Sequence, residues 1–140
     1  MPRKVNMEWP DFKTSVTFDL METENPKLCE SFWSGLPFDT VFEASMSGGQ
    51  MYKVPVPYWI PSVGPFKTVF FPEQPPGTIV AVGGCTLLMK YGTVIEPFRL
   101  PVLGMIPKAE LGKLLQITEN IREAYWFSKA IHKAVFKKVE

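Results

Sequence analysis

Histidine is almost missing from this chain: His132 is the only one among 140 residues. Any Ser-His or Cys-His nucleophilic pair must therefore use it. It lies in Ala130-Ile131-His132-Lys133, beside a basic cluster, and reads as a surface residue. Cysteine occurs only at Cys29 and Cys85. One histidine and two distant cysteines do not meet zinc-ligand spacing, and Asp19, Glu22 and Glu24 read as solvated loop carboxylates, so neither a metal nor a cofactor is expected. The cysteines read as reduced, buried thiols of a cytoplasmic protein, one mid-helix and one mid-sheet, neither in an activating context. No apolar run approaches the roughly 20 residues of a membrane span. Met1 to Glu24 carries charges throughout and does not read as a signal peptide. A net charge of +1 gives no global field for nucleic acid or acidic lipid. Gly48-Gly49 and Gly83-Gly84 lack the Lys-Ser/Thr of a phosphate-binding loop and read as turns.

What the chain does have is apolar and aromatic content, 46% and 14%, with 14 prolines scattered between apolar runs. That suits one domain with a real core, strand edges and ordered loops. Residues 1–13 read as an extended arm carrying Trp9 and Phe12. Thr14 to Leu20 alternates strictly, with Val16, Phe18 and Leu20 on one side, as a half-buried strand does. Asn25-Pro26 opens a helix as N-cap and first turn; Gly35 suits a left-handed C-cap, and Pro37 prevents continuation. Strands are predicted over Phe38–Ser45, Met51–Val56, Gly77–Val82, Cys85–Tyr91 and Pro101–Ile106. Ser47-Gly48-Gly49 permits the reversal between the first two. Pro55, Pro57, Pro61, Pro65, Pro72, Pro75 and Pro76 stiffen a long loop with a short apolar insert, Thr68 to Phe71. Pro107 starts a second helix. Thr118 can cap a third, in a helical extension over 117–140 that closes on a final strand from Ala134.

An antiparallel strand set with one helix after the first strand and one near the end resembles the cyclophilin-like β-barrel superfamily, in its short bacterial and archaeal branch. The resemblance rests on Asn25-Pro26-Lys27, Leu36-Pro37-Phe38, the Ser47-Gly48-Gly49-Gln50-Met51-Tyr52 turn, Tyr91-Gly92 and Val102-Leu103-Gly104-Met105-Ile106, in that order over residues 14 to 116. Gly49-Gln50 replace the acidic residue of the turn, and the tail from Ile117 is longer than the group requires. The implied fold is mostly β: a closed or nearly closed antiparallel barrel with two or three helices. A cyclophilin polarises the amide of an X-Pro bond with an arginine. Laid on that pattern, Thr40 holds the arginine's position, and Arg3, Arg99 and Arg122 lie in no matching context.

The expected function is therefore non-catalytic: a small accessory subunit docked on a larger protein subunit of a hetero-oligomer. That partner could be a multi-subunit ATP-dependent carboxylase or ligase, or an amide hydrolase. Trp9, Phe12, Trp59, Phe66, Phe70, Phe71 and Trp126, in terminal or proline-rich segments, are the predicted contacts, because aromatics on preordered loops lose little entropy on docking. The alternative is a stand-alone barrel binding a small molecule in its mouth, with Met46, Gln50, Tyr52 and Tyr91 lining the site. Behind it stands a peptidyl-prolyl isomerase. Lys129, Lys133, Lys137 and Lys138 with Trp126, Phe127 and Phe136 could contact nucleic acid, but interspersed glutamates favour a helix with one solvated and one docking face.

Overall fold

Val5, Met7 and Trp9 are buried while Lys4, Asn6 and Glu8 between them are not. That period of two makes the first strand, β1 (Lys4–Trp9), and places it inside the sheet rather than in an arm. The computed structural model describes residues 2–45, 47–60 and 65–140. After β1 come β2 (Thr14–Leu20), α1 (Pro26–Ser34), β3 (Phe38–Val41), β4 (Glu43–Ala44), β5 (Gly49–Pro55), β6 (Thr68–Phe70), β7 (Thr78–Val82), β8 (Thr86–Val94), β9 (Arg99–Met105), α2 (Lys108–Phe127) and β10 (Lys133–Lys138).

Every pairing among these strands is antiparallel, in the order β3-β10-β1-β2-β9-β7-β8-β5-β4, with β6 added on β9. The two edge strands of that path, β3 and β4, are consecutive in the chain and separated by Phe42 alone. The sheet therefore curls into a nearly closed barrel with Phe42 at the seam. Thr40, on β3, donates its hydroxyl across the gap to the Pro55 carbonyl at 2.6 Å. An edge strand left open presents unpaired N–H and C=O groups, and here the two edges are brought against each other instead of facing open solvent along their length.

Rings fill the interior. Phe38 stacks on Phe136 with centroids 4.9 Å apart, and Phe18 and Phe32 pack around the pair. Leu28, Cys29 and Phe32 of α1 and Leu114, Ile117 and Ile121 of α2 join the same core. Among the described residues no helix is long and apolar enough to cross a membrane.

Several local expectations change in the folded chain. Asn25 stands at the N-cap of α1 without capping it: its side-chain amide donates to the Lys67 and Val102 carbonyls and accepts from the Lys67 N–H, lashing the helix start to β9 and the loop before β6. Gly35 is right-handed, with φ −87°, so glycine suits the position for another reason: a Cβ would collide with the Tyr58 ring. Thr118 caps nothing. It sits mid-way along one continuous α2 and donates to the Leu114 carbonyl one turn back. Asp19 and Glu22 are engaged by Lys4 and Arg3.

The 3₁₀ turn over Phe71–Glu73 is held by a buried charge. The Lys90 ammonium donates to the carbonyls of Phe71, Pro72 and Gln74 at 3.2, 2.9 and 2.6 Å. Burial lowers its pKa. Removing a buried ion is often harmless when its partners also go. Here three carbonyls would stay behind, each costing about 1–3 kcal/mol if left dry. Lys90→Met is expected to destabilise the protein by about 2–4 kcal/mol in urea unfolding, with partial relief where water reaches the carbonyls.

The C-terminal strand lies between β3 and β1, with Phe136 opposite both Phe38 and Met7. Deleting 117–140 removes an interior strand and two core residues of α2. The expected result is loss of cooperative folding by circular dichroism and heat capacity, where an appended extension would leave the barrel intact.

Candidate functional site

Ala124 interrupts the apolar stripe that α2 buries through Leu114, Ile117 and Ile121. A methyl group where the preceding turns carry branched side chains leaves space between helix and barrel. The result is a cleft of about 310 Å³. Its floor is Trp9 from the end of β1 with Val41, Phe42 and Glu43 from the seam; its other walls are Ile121, Ala124 and Tyr125 of α2 and Ala130, Ile131 and His132 from the linker to β10.

The polar groups on this wall are few. Glu43 is half-buried beside the buried Phe42. His132 is held in place: its Nδ1 lies 2.9 Å from Asp11 Oδ2, and its ring packs on Phe12 at 4.6 Å. An ionised carboxylate only accepts, so Nδ1 carries the proton and Nε2 is left with the lone pair in the neutral ring. The turn Pro10–Phe12 and the start of β10, 121 residues apart, bring this pair together. An imidazole oriented by a carboxylate is suited to proton transfer or to holding a hydrogen-bond donor.

Two polar atoms are stranded behind the cleft. Trp9 Nε1 and the Tyr52 hydroxyl are buried with no hydrogen-bond partner. Trp9 meets Phe42 edge-on at 4.9 Å, and Phe42 meets Tyr52 at 5.4 Å, so the three rings form one wall through the seam. Burial pushes the pKa of Tyr52 up, and to a lesser depth that of Tyr91.

The predicted ligand set divides. Met46 lies outside the described residues. Tyr52 and Tyr91 do meet, with centroids 4.6 Å apart. Gln50 is committed elsewhere: its Oε1 accepts from the Thr93 N–H at 2.8 Å, and its side chain covers Gly92. Gln50, Tyr52 and Tyr91 do not line the cleft.

The predicted docking set divides too. Trp9 and Phe71 are fully buried, so their rings are core, not surface. A large ring at a period-two position goes with its strand, and β1 turned out to be interior. Phe12, Phe66 and Phe70 are half-buried, Phe12 beneath His132 and Phe70 beneath the Arg99 guanidinium at 5.4 Å. Trp59 and Trp126 are exposed. The predicted contacts leave out Phe127 and Ile131, which are 87% and 79% exposed. The signal was available: Tyr125-Trp126-Phe127 turn about 100° each on a helix, so all three cannot pack against the barrel.

Of the two cysteines, Cys29 matches the expected buried, unactivated thiol and Cys85 does not. Cys29 is buried, donates weakly to the Leu103 carbonyl, and has its thiol pushed up to about 12 by burial, which removes it as a thiolate nucleophile. Cys85 is exposed in the β7–β8 turn rather than buried mid-sheet.

No family model matches the chain, and no curated protein matches it. Solved structures do. A structure of McbB in complex with tryptophan shares the fold with a TM-score of 0.85 at 20% identity, over 95% of this chain and 44% of that one. The solution structure of the hypothetical protein AF2241 from Archaeoglobus fulgidus aligns with a TM-score of 0.62 at 9% identity, over 99% of this chain and 95% of that one. The chain thus has the barrel fold of both proteins and spans less than half the length of McbB.

Proposed function

We propose that this barrel binds a small molecule in the cleft beneath the end of α2. The ligand would have a flat apolar body and a protonated amine directed at Glu43. One observation carries this reading: a cleft of about 310 Å³ whose walls are rings and aliphatic side chains, with Glu43, His132 and the Tyr125 phenol as its titratable groups. Small-ligand sites of roughly 300–1,000 Å³ are built in this way, with apolar walls and a few placed polar groups. The Asp11–His132 pair adds an oriented acceptor on the rim. That McbB, with a similar barrel, was solved with tryptophan supports a ligand of this size and kind. The order of motifs like those of the cyclophilin superfamily agrees with a barrel whose end carries the site, while Thr40 at the seam supplies no charge for prolyl isomerisation.

The reading is tested by titrating isotope-labelled protein with tryptophan, tryptamine and indole. Resonances of Ala124, Ala130 and His132 are expected to shift with the amines. Ala124→Trp should fill the cleft and abolish the response. Glu43→Gln should weaken the amines by roughly three- to tenfold, about 1 kcal/mol for a part-exposed ion pair, and leave indole unchanged. Absence of any shift at millimolar ligand, or shifts confined to other surfaces, would sink the proposal.

A second reading keeps the docked accessory subunit. It is favoured by Trp59, 68% exposed and lying over Gly84 of the β7–β8 turn. A tryptophan there, on a proline-framed loop, would anchor a larger protein, whether carboxylase, ligase or amide hydrolase. Retention of such a partner by the native chain but not by Trp59→Ala would support it.

A further inference from the structure

Seven consecutive residues, Tyr125 to Ile131, are exposed where α2 runs off the barrel. Earlier turns of the helix bury a residue each against β2 and β4; these do not. Phe127 is 87% exposed, Ile131 79%, Tyr125 43% and Trp126 42%. Side chains of this kind carry roughly 200 Å² each, so the strip leaves on the order of 500 Å² of apolar surface in water. That is near the upper end of the largest apolar patch on an ordinary monomer. Trp126 and Phe127, which lie together on one side of the helix end, supply about 300 Å² of it, over a third of the ~800 Å² that one partner contributes to a standard interface.

The charges around the strip indicate what covers it. Glu123 stands three residues before Trp126 and Lys129 three residues after it. Neither has an ion-pair partner among the described residues. The neighbouring charges are already engaged: Glu119 faces Arg122, Lys133 faces Asp39, and Lys137 bonds Glu8. A lipid surface would call for a cationic rim, and this rim carries both signs in balance. With an acidic residue before the aromatic pair in the chain and a basic one after it, two copies meeting antiparallel set unlike charges opposite each other, as a two-fold rotation requires.

We infer that this strip is the interface of a homodimer, two copies packing Trp126 and Phe127 about a two-fold axis so that Glu123 of each meets Lys129 of the other. A net charge of +1 per copy offers little repulsion to such a pair. Tyr125 and Ile131 belong both to the strip and to the wall of the cleft, so the second copy covers the open side of the cleft. The dimer rests on the strip and its charges, and holds whether or not the cleft takes a ligand.

Sedimentation velocity of the full chain between about 1 and 500 µM tests this. The 15.9 kDa monomer should give way to a species of twice that mass as concentration rises. Phe127→Asp, at a position that supports no core contact, should stay monomeric throughout while keeping the native melting temperature within a few degrees. Glu123→Lys and Lys129→Glu should each raise the dissociation constant tenfold or more. The double exchange should restore it to within about threefold. A native chain that remains monomeric across the range overturns the inference. So does a dimer that survives Phe127→Asp, or one that the two charge reversals weaken without mutual rescue.

Discussion

Phe42 occupies the one residue between the two edges of the sheet, and the rest of the molecule depends on that closure. Its ring turns inward, where it meets Trp9, Tyr52 and Phe136. The residues on either side, Val41 and Glu43, end β3 and begin β4. A ring in the interior draws both edges toward the same core, and the Thr40 to Pro55 hydrogen bond spans what gap remains. Without the seam, Tyr52 would not be buried and the floor of the cleft would not exist. Burial of one aromatic side chain thus organises a hydrogen-bonding problem, the two open strand edges, and a recognition surface at once.

The polar groups follow from the same constraint. A closed barrel full of rings leaves little room for charge, so charge is either fully satisfied or kept at the ends. Lys90 is the interior case, with three carbonyls for its three protons. Asp11, His132 and Glu43 are the end case, gathered where β1, the seam and the linker to β10 converge. The cleft opens at Ala124, where α2 begins to run past the barrel it covers. The same overhang exposes Tyr125 to Ile131, so the ligand cleft and the apolar strip are two faces of one feature.

Much of the fold was legible. Strict alternation located β2 to the residue, and Pro26, Gly35 and Pro37 bracketed α1, because period and backbone restriction are local properties. The antiparallel barrel with a helix after the β1–β2 hairpin and another near the end also agreed with the motif order. The site was much less legible. Gln50, Tyr52 and Tyr91 stand out in turn and strand motifs, and the two tyrosine rings do meet, but the cleft takes its walls from segments as far apart as Trp9 and His132. His132 read as a solitary surface residue because its partner Asp11 lies at the other end of the chain.

From its sequence alone, this protein was bound to be strand-rich, ring-filled and almost without reactive side chains, since composition and short-range periodicity carry that information. Which strands became edges, and that residues 4–9 and 133–138 lie side by side in the interior, was decided only on closure of the barrel. So were the burial of Trp9 and Phe71, the exposure of Cys85 and Phe127, and the meeting of His132 with Asp11. The physical reason is that burial is a property of neighbours in space: a period of two says that one face of a strand is covered, and only the completed sheet says by what.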